Sequence, residues 1–160
     1  MNVPSCLLWG FVATTIQTTL MSGAQGLGLS RMSFPFMLGT IFTPSRDRAS
    51  LIGFGLHIVN GWLAAVLYAL IFESFGRCDG WLGGLVGLSH GVFVLVVVMP
   101  LLPALHPRMA SEHAGPEPTR ALEPPGFLAL NYGRWTPTIT VVSHLIYGVV
   151  LGHFYRLSGG

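Results

Sequence analysis

Three histidines, His57, His90 and His144, stand inside long stretches that carry no charged residue. An ionisable side chain in such a stretch is costly and marks a functional position by default. His57 and His144 share their surroundings. From each, a glycine follows at +4 (Gly61, Gly148), a small residue at +8 (Ala65, Gly152), a tyrosine at +11 (Tyr68, Tyr155) and a leucine at +13 (Leu70, Leu157). Two imidazoles converging from facing helices are what a six-coordinate haem b iron takes, and a helical bundle is where such sites are built. Arg31 and Arg108, each followed by methionine, could then neutralise the propionates by charge-assisted hydrogen bonds. This reading makes His57, His144, Arg31 and Arg108 the cofactor-binding set, with His90 as a further metal ligand.

Plainer chemistry competes with that reading. Each histidine could simply donate a hydrogen bond to a neighbouring helix, for which Thr14, Thr15, Gln17, Thr18 and Thr19 offer partners. A proton or ion relay would instead use His90 with Thr14 and Thr18 lining a polar path. His106, Met109 and His113, following Met99, form a soft imidazole and thioether set suited to copper. No carboxylate or cysteine pattern reinforces that set, and a solvated, proline-rich loop is the expected explanation of these residues. Gly87-Leu88-Ser89-His90-Gly91 matches the G-x-S-x-G pattern of hydrolases, which acts through a strained strand-to-helix turn. Here it lies inside a glycine-rich apolar segment, and no catalytic residue is assigned. Phosphate loops, CxxC pairs and basic clusters are absent, which argues against nucleotide and nucleic-acid partners.

The elements that carry these residues follow from charge. The chain of 160 residues is 51% hydrophobic and 9% charged, with eight basic residues, all arginine, and six acids. Soluble domains carry roughly 25% charge. The charges leave four free intervals, 1 to 30, 49 to 72, 80 to 107 and 135 to 155. A helix crosses hydrocarbon with about 20 apolar residues, and only helices or closed barrels satisfy the backbone there. Spans are expected at 3–23, 50–72, 81–102 and 137–156, in a single domain over 1–160.

Six arginines (31, 46, 48, 108, 120, 134) flank one side of such a bundle and two (77, 156) the other. The positive-inside bias then puts both termini on the periplasmic side of a bacterial inner membrane. Met1-Asn2-Val3-Pro4 lacks the basic start of a signal peptide, so the first span is expected to be retained. Cys6 and Cys78 would share the oxidising side, where spacing alone does not establish a bond. Residues 26–42 read as an apolar, glycine-rich interfacial loop. Residues 103–134, with five prolines from Pro107 to Pro125, read as irregular extended chain.

The shared pattern around His57 and His144 implies a duplicated helical hairpin. The fold class expected is an all-α four-transmembrane-helix bundle with a pseudo-two-fold axis along the membrane normal. Small residues at i, i+4 spacing mark its packing faces: Gly53, His57, Gly61, Ala65 on one helix and Thr140, His144, Gly148, Gly152 on its counterpart. Leu29-Ser30-Arg31-Met32, Met37-Leu38-Gly39-Thr40 and Pro125-Gly126-Phe127 with His144 resemble small four-span bacterial membrane proteins. The likeness covers most of the chain and implies a four-span fold without implying an activity. The function expected is a non-catalytic accessory or interaction subunit, in contact with lipid and with other subunits or its own copies. A haem-bearing electron carrier and a small transporter or channel are the alternatives.

Overall fold

The computed structural model describes residues 1–111, 118–120 and 122–158. Among them the chain is all-helical, without a β-strand. Helix α1 (Val3–Gly26) starts where the Asn2 side chain accepts from the Ser5 N–H at 3.1 Å and Pro4 sets the first turn. Helix α3 (Arg46–Phe75) stops at Gly76, whose φ of 61° suits a residue without a Cβ. Asp79 caps α4 (Gly80–Phe93), accepting from the Leu82 N–H at 2.9 Å. α4 continues through a π-helical turn, Val94–Val98, into α5 (Met99–Leu105). Pro100 offers no N–H and crowds the carbonyl four residues back, so the wider turn falls where an α-helical bond is forbidden. Helix α6 (Thr136–Phe154) follows a short 3₁₀ segment, Phe127–Tyr132.

Among the described residues, three stretches are long and apolar enough to cross a membrane: Arg46–Phe75, Gly80–Leu105 and Thr136–Phe154. α1 has the length, 24 residues. Its run Thr14-Thr15-Ile16-Gln17-Thr18-Thr19 lowers its hydropathy, and it is not among those three stretches.

The long helices alternate in direction. At one pole the Asn2 N–H donates to the Tyr155 hydroxyl (2.9 Å), which donates to a Glu73 carboxylate oxygen (2.7 Å). These bonds tie the start of α1 to the ends of α6 and α3.

Helix pairs meet through small residues, as expected where lipid offers helices no hydrophobic reason to associate. A Cβ on Gly83 would strike the Gly148 carbonyl, and one on Gly148 would strike that of Gly83. This reciprocal fit sets how closely α4 and α6 approach. On the other side, Gly61 of α3 receives Thr14 of α1, and Gly10 of α1 faces Ala65 of α3.

In both connecting regions the described residues make more structure than the sequence suggests. Residues 26–42 are not a plain interfacial loop: they fold a short helix, α2 (Phe34–Thr40), back against α3. Gly53 makes room for the Pro35 carbonyl and Gly39 for the Ala49 carbonyl. In the region after α5, the Ala110 N–H donates to the Leu122 carbonyl and the Leu122 N–H to that of Arg108 (2.9 and 3.0 Å). Leu128 and Ala129 turn the chain through left-handed backbone (φ 51° and 60°), with Ala129 fully buried. Cys6 and Cys78 are both free thiols.

Candidate functional site

The helices enclose a chamber of about 340 Å³. α3 contributes His57 and Asn60, α4 His90 and Phe93, α6 Thr140, His144 and Tyr147, and α1 Gln17 and Met21. α2 and the chain before it close one end with Met32, Phe34 and Leu38, and Met99 lies beside the π-helical turn. Met99, the residue after that turn, is fully buried.

All three histidines foreseen from sequence face this one chamber, in different states. His144 is tied down: Nδ1 lies 2.7 Å from the Thr140 carbonyl, an acceptor only, so Nδ1 carries the proton and Nε2 keeps its lone pair. His90 packs its ring edge-to-face on His144, centroids 4.7 Å apart, and its Nδ1 meets the Tyr68 hydroxyl at 3.2 Å. His57 is 6% exposed, with Phe34 edge-on to its ring at 5.5 Å. Neither of its ring nitrogens has a hydrogen-bond partner among the described residues, and the same holds for the Thr140 hydroxyl. Tyr147 crosses the interior to donate to the Gly61 carbonyl at 2.6 Å.

No protein-family model, curated protein or solved structure matches this chain. The site therefore has to be read from its own chemistry.

Other residues singled out from sequence stand elsewhere. Arg31 donates to the Asn131 carbonyl and pairs with Glu123 at 3.1 Å. Arg108 donates to the carbonyls of Thr40 and Ile41 at 2.6 and 2.9 Å. Neither arginine lines the chamber. Thr14 and Thr18 donate to carbonyls of their own helix, those of Gly10 and Thr14, both at 2.7 Å. Thr15 and Thr19 do likewise, so the α1 hydroxyls are not the histidines' partners. α1 reaches the chamber through Gln17 and Met21 instead.

His106 is buried and occupied: Nε2 donates to the Met37 carbonyl at 2.9 Å and Nδ1 accepts from the Arg108 N–H at 3.1 Å. It works as a brace between α5 and α2. Met109 is fully buried, and His113 lies outside the described residues. Among the described residues no group of three or more His, Cys, Asp or Glu side chains is gathered as a metal would need. Ser89 is exposed and donates to the Leu85 carbonyl of its own helix at 2.9 Å. The hydrolase pattern thus has no nucleophile geometry.

Sequence reasoning missed Asn60, Phe34 and Tyr68 as parts of the site. Asn60 had a signal, being a carboxamide three residues after His57 on the same helix. Phe34 had none, since its role depends on α2 folding back. Beyond the chamber, burial and the neighbouring Glu123 push the Tyr132 phenol up to about 12, with Arg31 pulling the other way.

Proposed function

We propose that the chain is a non-catalytic membrane protein that holds a small guest in the histidine-walled chamber, serving as an accessory subunit of a membrane complex. The observation that carries this reading is His57, buried with both ring nitrogens unpartnered at the chamber wall. An unsatisfied buried polar group costs about 1–3 kcal/mol. Native folds seldom carry such a cost without a partner from outside the chain. The chamber also falls in the roughly 300–1,000 Å³ range of small-molecule sites.

The framework we propose is a four-span bundle made of a duplicated hairpin, inserted in a bacterial inner membrane with both termini periplasmic. Two observations support the duplication. In each hairpin the glycine four residues after the histidine is where the second helix meets the first: Gly61 on Thr14, Gly148 on Gly83. Each arginine of the two Arg-Met pairs reaches into the opposite loop. Four alternating helices, three of them long and apolar enough to cross a membrane, are consistent with that insertion.

The reading is tested by purifying the chain in mild detergent and extracting it for mass spectrometry. One species should co-purify in a fixed ratio with the wild-type chain and be lost from folded His57→Phe. Extracts containing bulk lipid alone would contradict the reading.

A second reading, a b-type haem protein that passes electrons, is favoured by one observation. The Thr140 carbonyl fixes His144 with Nε2 free, the form that ligates iron, on the same chamber as His57. A Soret band that disappears in both His57→Ala and His144→Ala would establish it, and a colourless, iron-free preparation would remove it.

A further inference from the structure

We infer that the guest is a neutral, flat-headed amphiphile of the quinone class, entering sideways from the bilayer between α3 and α4 and accepting a hydrogen bond from His57. This rests on the chamber being a binding site, and it names the occupant and the entrance.

The entrance follows from how unevenly the helices pack. α4 and α6 are in contact along their glycine faces, and α1 packs on both α3 and α6. α3 and α4 barely touch. Among the described residues a hydrogen bond between the Tyr68 hydroxyl and His90 links them. Asn60 of α3 and Phe93 of α4 line the chamber and are also exposed on the outer surface, Phe93 at 52%. The chamber therefore reaches the face of the bundle that a bilayer would cover. A water-soluble ligand gains nothing from such a mouth, whereas a lipid-dissolved one reaches it by lateral diffusion and can leave its tail outside.

The walls define the head group. Among the described residues no carboxylate and no guanidinium lines the chamber, so a phosphate or ammonium head would be left without a counter-charge from them. The polar groups are imidazoles, the Gln17 and Asn60 carboxamides and the Thr140 and Tyr147 hydroxyls. They suit a neutral head with carbonyl acceptors. Around them Phe34, Phe93, Met21, Met32 and Met99 supply ring edges and thioethers, which favour the faces and edges of a flat ring. A neutral imidazole always has one N–H to donate, and that of His57 has no acceptor among the described residues. A quinone carbonyl provides one. We assign binding only, with no electron transfer.

The test is a titration of the full chain in nanodiscs with decylubiquinone, using decylbenzene as a probe of similar shape without carbonyls, and haemin as a third arm. Saturable decylubiquinone binding is expected, weakened at least ten-fold in His57→Leu and largely restored in His57→Gln, which keeps an N–H donor. Asn60→Phe, at the mouth, should slow association and dissociation together. Equal affinity for decylbenzene, or no change in folded His57→Leu, would overturn the quinone assignment and leave an apolar chamber. Tight haemin binding without decylubiquinone binding would overturn it in favour of haem. If no probe binds and no guest co-purifies, the binding reading itself falls too.

Discussion

Arg31 and Arg108 are exchanged between two connecting regions beside the chamber: Arg31, within residues 26–42, donates to the Asn131 carbonyl within residues 103–134, and Arg108 of the latter region donates to the Thr40 and Ile41 carbonyls of the former. Each guanidinium satisfies carbonyls at or near the end of a short helical segment, α2 or the 3₁₀ turn. The chamber's closure at this pole, through Met32, Phe34 and Leu38, thus depends on both loops at once.

Removing one side of the exchange should loosen the other loop. Arg108→Ala deletes two charge-assisted hydrogen bonds, and bonds of that kind contribute about 1.5–3 kcal/mol each where they are sheltered. Limited proteolysis is expected to cut residues 26–42, whose Thr40 and Ile41 carbonyls lose the Arg108 donor while their own sequence is unchanged, at least several-fold faster. Glu123→Ala removes only the exposed partner of Arg31 and should shift stability by less than about 1 kcal/mol. Equal protease resistance in Arg108→Ala and wild type would show that the loops close independently.

Glycines that set helix approach should be distinguishable from those that do not. Gly148→Ala drives a Cβ into the Gly83 backbone, and overpacking of this sort costs about 1–3 kcal/mol or more. Gly23→Ala, on α1, meets nothing within 4 Å and exchanges glycine for a better helix former, worth about 0.5–1 kcal/mol in favour of folding. Denaturant titration of the two variants in one detergent should move the midpoint in opposite directions. Movement in the same direction would refute the packing assignment.

Asp79 gives a pH dependence outside the spans. The Leu82 N–H, and then Arg77, hold its carboxyl below the usual carboxylate value. A depressed folded-state pKa means that ionised Asp79 stabilises the fold above its unfolded pKa, and that this contribution is lost as pH falls through the folded one. Wild type should therefore exceed Asp79→Asn in thermal midpoint near neutrality, with the gap closing on acidification. A gap that widened at low pH would reverse the sign of the argument.

The helices were legible in the sequence because charge is expensive in hydrocarbon, and the four charge-free intervals mark them to within a few residues. The expected span at 81–102 omitted the continuation to Leu105, since residues 103–134 read as irregular chain from their prolines, whereas a π-helical turn carries the helix on through Pro103. That the histidines would turn inward was readable from the glycine stripes beside them. Which ring meets which was not: His144 lies against His90 of its own hairpin rather than directly against its counterpart His57, and such contacts depend on helix rotation. α2 was missed because seven residues with a proline and a glycine show no period; its helix is held by α3 through Gly53 and Ala49. Thr14 and Thr18 read as path-lining because their polarity was visible; in the structure each hydroxyl donates its proton to a carbonyl of α1 itself, and neither residue stands at the chamber wall.

The most direct measurement is the nitrogen-15 NMR signal of the His57 ring in the chain purified with its native lipid, compared with the same chain after its guest has been extracted. One ring nitrogen should report a hydrogen-bonded or coordinated partner before extraction and lose it afterwards, while His144, held by Thr140, keeps its tautomer. A His57 signal that is the same in both preparations would contradict the proposal that this imidazole is completed by a guest.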